Sequence, residues 1–251
     1  MNLNIIHTND FHGCLTETGM GQIRDRLAKL NGRPYLLLDA GDAVKAGNIG
    51  VSPFGEPILG RMSDLGYHAM TMGNREFHVW RSALATKIAQ ARFPILSANV
   101  HARESTATTL PVQPYVKIVL GDLRITVFGL TVPMVTARMK VAPLSAFLFD
   151  DPIATARRLI TELRGDADVL IALTHIGLSQ DRKLAEAVEG IDLIIGGHSH
   201  NALSAPVYMN RIPIVQTGSH ANLYGEVVLK IENGNVSLES AALCALQGTV
   251  K

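Results

Sequence analysis

Seven side chains in the 251-residue sequence combine a type that binds divalent metal ions with a place at the end of an apolar run: Asp10, His12, Asp42, Asn74, His175, His198 and His200. Each sits on or just after a short apolar run: LNII (3–6), YLLLDAGD (35–42), HAMTMGN (68–74), DVLIALTHIG (168–177) or IDLIIGGHSH (191–200). Asp10/His12 and His198/His200 are spaced by two residues. In an extended segment residues i and i+2 point the same way, so each doublet can aim two ligands at one point. Carboxylate, imidazole and amide oxygen form a borderline-hard donor set suited to Mn, Fe or Zn, unlike the thiolates of a structural zinc site. Seven donors are too many for one tetrahedral ion. They suit two divalent metal ions sharing a carboxylate, and ions ~3.5–4 Å apart are a standard device for phosphoryl hydrolysis. A lone D-x-H or strand-end histidine carries little weight; the ordered conjunction carries the inference.

The elements that must position these groups are legible from periodicity and turn residues. Helices are predicted at 21–32, 56–66, 80–91, 151–165 and 183–190, and a strand at FPILSANV (93–100). IPIVQTGSH (212–220) is a further strand ending in a histidine, His220. YVKIVLGDLRITVFGLT (115–131) and GEVVLKIENGNVSLES (225–240) read as hairpins turning at Gly121-Asp122 and Asn233-Gly234. Alternating strands and helices predict an α/β architecture, and the hairpins make its sheets mixed. Neither an internal repeat nor a linker interrupts the chain, so residues 1–251 read as a single domain. Ligands in open α/β sheets gather at the carboxyl ends of strands, where all seven groups lie.

Composition narrows the function. The chain is 47% apolar and 18% charged with a net charge of +1, and no block of Lys/Arg marks a nucleic-acid footprint. No apolar run approaches the ~20 residues of a membrane span. MNLNIIHTND lacks the charged and apolar regions of a signal peptide, and two cysteines, Cys14 and Cys244, do not suggest a disulfide framework. The expectation is a cytoplasmic protein whose partner is a small substrate.

TNDFHG, DAGDA, GNREF, THIG and GGHSH, in this order and spacing, resemble the calcineurin-like metallophosphoesterases, most closely the catalytic domain of the 5′-nucleotidase family. The resemblance covers Leu3 to about Gly225 and implies a four-layer αββα sandwich with a dinuclear site at one end. By motif, one ion would take Asp10, His12 and His200 and the other Asn74, His175 and His198, with Asp42 bridging. His200 stands where many of the nucleotidases have glutamine. The implied reaction is direct in-line attack on a phosphate ester by a metal-bridging hydroxide, with no covalent intermediate. The expected substrate is a small phosphorylated metabolite, a nucleotide being one candidate. Cyclic-nucleotide or other phosphodiester hydrolysis is the alternative among enzymes. The nucleotidases continue into a C-terminal nucleotide-binding domain, and none is expected within residues 1–251. Substrate contacts are therefore expected from the loops at 43–56, 101–114 and 132–150, where Arg103, Arg138 and Lys140 lie, or from a homo-oligomer.

The chain departs from the family at one turn. Where the nucleotidases read G-N-H-E-F-D, it reads G-N-R-E-F-H, with Arg75 for the histidine taken as the acid and His78 for the aspartate. A guanidinium, with a pKa above ~12, donates no proton at neutral pH, yet it can grip a phosphate and stabilise transition-state charge. Three readings follow. Arg75 clamps phosphate while His78 acts as acid; or the substrate has a good leaving group and needs no acid; or the protein binds metal and phosphate and turns over weakly. Asn74, Arg75 and His220 are the substrate-binding candidates, and Asp42, Arg75 and His78 the catalytic ones. His7 and Trp80 read as packing residues, His68 as a strand start and His101 as a solvated loop residue.

Overall fold

The computed structural model describes residues 1–103 and 110–247. Two six-stranded mixed sheets lie face to face. In the first, β1 (Asn2–Thr8), β2 (Tyr35–Asp39), β3 (Ala69–Thr71) and β4 (Ile95–Leu96) run parallel, and β13 (Leu223–Glu232) and β14 (Asn235–Ala245) add antiparallel beside β1. In the second, β7 (Leu123–Thr131), β9 (Val169–His175), β10 (Leu193–Gly196) and β12 (Ile212–Val215) run parallel, flanked by antiparallel β6 (Tyr115–Leu120) and β11 (Val207–Met209). A two-stranded sheet pairs β5 (Val100–Ala102) with β8 (Phe147–Phe149).

Three apolar clusters account for the layering. Leu3, Ile5, Leu36 and Leu38 of the first sheet meet Ile125, Val127, Ile171 and Ile195 of the second. The outward face of the first sheet packs on α1 (Glu17–Ala28), α2 (Pro57–Leu65) and α3 (Arg81–Ile88) through Ile23, Leu59 and Leu84. That of the second packs on α4 (Pro152–Leu163) and α5 (Leu178–Ala187) through Leu159 and Leu184. Because the parallel strands are covered on both faces, they read as continuous apolar runs. The result is the αββα sandwich implied by the motifs.

Local chemistry sets the boundaries. The Thr16 hydroxyl accepts the Gly19 amide at 3.1 Å and starts α1 ahead of the predicted 21. Asp151 caps α4 by accepting the Ala154 amide at 2.7 Å, with Pro152 in the first turn. Asn233 and Gly234, at φ 51° and 77°, make the tight turn between β13 and β14. The strand predicted at 93–100 is divided. After the two residues of β4 the chain crosses toward β7, Ala98 donating to Gly129 O at 2.8 Å, before entering β5. Helix α5 begins five residues before the predicted 183. Among the described residues no helix is long and apolar enough to cross a membrane. Within the 101–114 loop, residues 104–109 lie outside the described residues.

Candidate metal centre

Three neighbouring strands of each sheet end at the site. The first sheet delivers Asp10 and His12 after β1, Asp42 after β2 and Asn74 after β3. The second delivers His175 at the end of β9, His198 and His200 after β10 and His220 after β12. All seven predicted donors converge. His200 Nε2 lies 3.2 Å and His12 Nε2 3.5 Å from Asp10 Oδ1. His175 Nε2 is 3.2 Å from Asn74 Oδ1, and His198 Nδ1 is 2.8 Å from it. Asp42 lies between these groups, its Oδ2 3.7 Å from His12 Nε2 and its Oδ1 3.4 Å from His175 Nε2.

Convergence is achieved differently from the extended i, i+2 geometry expected of the doublets. Asp10, His12, Asp42, His198 and His200 all adopt left-handed backbone, with φ between 50° and 74°. A strand would point each doublet sideways from a sheet; these turns fold the side chains back over the strand ends. Non-glycine residues rarely hold this conformation, and clusters of them mark strained functional turns.

Backbone amides and carbonyls fix each donor. Asp10 Oδ2 accepts from Asn9 Nδ2 at 2.7 Å and from the His198 amide at 2.9 Å, leaving Oδ1 to face the histidines. His175 Nδ1 donates to Ala40 O at 2.7 Å, which leaves Nε2 as the nitrogen facing the site. Asp42 Oδ1 accepts the Arg75 amide at 2.7 Å. Glu76, buried, accepts the amides of Asp42 (2.9 Å), Gly73 (2.8 Å) and Val44 (3.1 Å), locking the β2 and β3 turns together. Nothing larger than glycine fits at 73, where a Cβ would stand 2.2 Å from Asp42 Oδ1. Asn9 joins the β1 and β12 ends through Thr217 N at 2.8 Å and Gly218 O at 2.6 Å. Glu76 and Asn9 lie inside quoted motifs, yet their role depends on contacts across the fold and has no signature in sequence.

Two buried atoms in the middle of the site, Asp10 Oδ1 and His12 Nε2, have no hydrogen-bond partner. Buried polar atoms are nearly always satisfied, so a facing pair of orphans marks a place for a cation. Asp10, His12 and His200 form one group of converging donor atoms, and Asp10, Asp42 and His175 another. The electrostatics agree. Burial opposes charge on His175, but the Asp42 carboxylate outweighs it and holds the imidazole up at about 9. Burial would raise Asp42, but His175 and His12 overcome it and push the carboxyl well down. A proton on His175 thus supplies positive charge that a metal cation supplies equally well, and the donor set fits Mn, Fe or Zn.

The remaining candidates divide. Arg75 points into the site and does not pair with Glu76: its Nη1 donates to Lys45 O at 3.1 Å and its Nε is 3.8 Å from Asp42 Oδ2. His78 turns away. Its Nδ1 accepts the Trp80 amide at 3.0 Å and its ring meets the Ile49 backbone, so neither nitrogen faces the donor cluster. Burial first, then the charge of Lys87, lowers its pKa. His220 stands behind His12, with its Nε2 3.3 Å from His12 Nδ1 and its Nδ1 2.8 Å from Ser219 Oγ. Burial and the neighbouring His12 lower its pKa. His7 is a buried packing residue against Gly225, and His101 faces Asp150 at the surface. Trp80, expected in the core, is 64% exposed. Sequence reading passed over Lys87, which is buried on α3 with its ammonium donating to Gly47 O at 2.8 Å under the 43–56 loop.

The calcineurin-like phosphoesterase profile matches residues 3–202, which include every converging donor. The chain belongs to that family. It is 29% identical to the trifunctional nucleotide phosphoesterase protein YfkN of Bacillus subtilis, over 97% of this chain and 19% of that protein. It is 31% identical to human 5′-nucleotidase, over 80% of this chain and 38% of that one. The 5′-nucleotidase precursor of Thermus thermophilus superposes with a TM-score of 0.79 at 26% identity, covering 99% of this chain and 55% of that one. This phosphoesterase chain spans about half or less of the length of these relatives.

Proposed function

We propose that the chain is a divalent-metal phosphoesterase that hydrolyses small phosphorylated metabolites carrying good leaving groups, which among nucleotides means those with an anhydride or a cyclic diester bond. The observation that carries this reading is the facing pair of orphaned buried atoms, Asp10 Oδ1 and His12 Nε2, with Asp42 beside them. Asp10, His12 and His200 would hold one ion, and Asn74, His175 and His198 a second, with Asp42 shared. When bound, such ions polarise phosphoryl oxygens and acidify water enough to supply a nucleophile near neutral pH. Nucleotide substrates are supported by the relatives named nucleotide phosphoesterase and 5′-nucleotidase.

Arg75 decides which substrates react. Its guanidinium is held over Asp42 with one N–H on Lys45 O, and its other donors are available to two phosphate oxygens in a bidentate grip. It stabilises charge but has no proton to give near pH 7. His78, the other acid candidate, faces Trp80 and Ile49. A leaving group that departs without a proton must be acidic itself, as in an anhydride or an aryl ester, or be expelled by the release of strain, as in a strained cyclic diester.

The test is hydrolysis of phosphate esters graded in leaving-group pKa, by wild type and Arg75→His, after metal stripping and Mn²⁺ restoration. Wild-type rates fall steeply as leaving-group pKa rises; Arg75→His recovers up to ~10²-fold on the poorest leaving groups. Undiminished activity after exhaustive metal removal, or in Asp42→Asn, overturns the metal assignment. An Arg75→His enzyme no better on alkyl esters overturns the account of Arg75.

A further inference from the structure

The His12 ring is held from both sides. Its Nε2 faces Asp10 Oδ1 at 3.5 Å and Asp42 Oδ2 at 3.7 Å, and its Nδ1 lies 3.3 Å from His220 Nε2. A neutral imidazole carries one N–H, on either nitrogen. Left alone beside two carboxylates, His12 would place that proton on Nε2 and close the site to a cation. A group accepting a hydrogen bond at Nδ1 moves the proton there and turns the Nε2 lone pair toward the carboxylates. Histidine ligands generally have such a partner in a carboxylate, carbonyl or water; here an imidazole occupies that place.

We propose that His220 is a positioning residue for the metal centre, accepting the Nδ1–H of His12 and thereby directing the Nε2 lone pair of His12 to the ion held with Asp10. This rests on the metal reading above. With His12 as the donor the two contacts form one chain: His12 Nδ1–H to His220 Nε2 at 3.3 Å, then His220 Nδ1–H to Ser219 Oγ at 2.8 Å. The His220 amide donates to Asp10 O at 2.7 Å, and His220 and Ala221 hold φ values of 59° and 53°, a conformation that alanine seldom adopts and histidine tolerates better. Its ring stands edge-on to His12 at 4.7 Å between centroids and 6.0 Å from His200.

The experiment uses the full chain as wild type, His220→Phe and His220→Gln, stripped of metal and titrated with Mn²⁺ by calorimetry and electron paramagnetic resonance. Wild type takes up two ions. His220→Phe keeps ring volume but no acceptor, and loses ~10–100-fold affinity at one ion only. His220→Gln restores an acceptor oxygen and binds both ions close to wild type. Equal binding of both ions by wild type and His220→Phe overturns the role of His220 and leaves the metal reading standing. A glutamine variant as weak as the phenylalanine variant also overturns it. A wild-type protein that binds no divalent ion overturns both.

Discussion

Replacing Glu76 by glutamine tests how the site is held without touching any proposed metal ligand. The buried carboxylate accepts three backbone amides, those of Asp42, Gly73 and Val44, at 2.8–3.1 Å. A glutamine amide retains the oxygen shared by Asp42 and Gly73, but its NH₂ then faces the Val44 amide, donor against donor. An orphaned buried amide costs about 1–3 kcal/mol, and the two retained bonds lose their charge assistance. Against this, a neutral side chain avoids the burial cost that, together with Asp42, raises the Glu76 pKa. The net loss is about 2 kcal/mol, and in a chain of this length each kcal/mol shifts Tm by roughly 2–4 °C. Metal-free Glu76→Gln should therefore melt roughly 4–8 °C below wild type by scanning calorimetry. Its Mn²⁺ affinity should fall as well, because the β2 and β3 turns are no longer tied together. A melting temperature matching wild type, with unchanged metal affinity, would refute the view that Glu76 organises the turn.

Gly73→Ala places a Cβ 2.2 Å from Asp42 Oδ1 and 2.5 Å from Asp42 N, so backbone must move. Metal binding should be lost and the chain destabilised by more than about 2 kcal/mol, read from denaturant unfolding. His7 is buried away from solvent with its pKa lowered by burial to about 3. Between pH 3 and 6.5 the unfolded chain binds the proton and the folded chain does not. Its contribution is thus intact above pH 6.5 and lost as pH falls, at about 1.4 kcal/mol per unit. Urea unfolding at pH 5 and 7 should show a shallower acid loss in His7→Leu than in wild type; identical slopes would show that His7 does not set it.

The strand ends were legible because a strand covered on both faces must be a run of apolar residues, and the polar residue that stops it is conspicuous. The hairpin at Asn233-Gly234 was legible because its turn requires positive φ at both positions. Strand β4 was overread because two ladder residues and the crossing that follows share the composition of one longer strand. Helix α1 was underread because the Thr16 cap lies in a stretch without apolar periodicity. The donors themselves were found by type and order, but the geometric reason given for the doublets was that of a strand, and the backbone there is left-handed. Glu76, Asn9, Lys87 and the link from His220 to His12 depend on partners dozens to hundreds of residues away, which no local pattern records.

The left-handed turns also constrain which amino acids could ever occupy the cluster. Asn, Asp and His are the side chains that tolerate positive φ best after glycine, and they are the only types found among the seven donors. Glutamate and cysteine, adequate donors in solution, would meet a backbone that resists them at positions 10, 12, 42, 198 and 200. The alphabet of this centre is thus selected twice, once by coordination chemistry and once by torsion angles, and a redesign for a softer metal would first have to rebuild the loops.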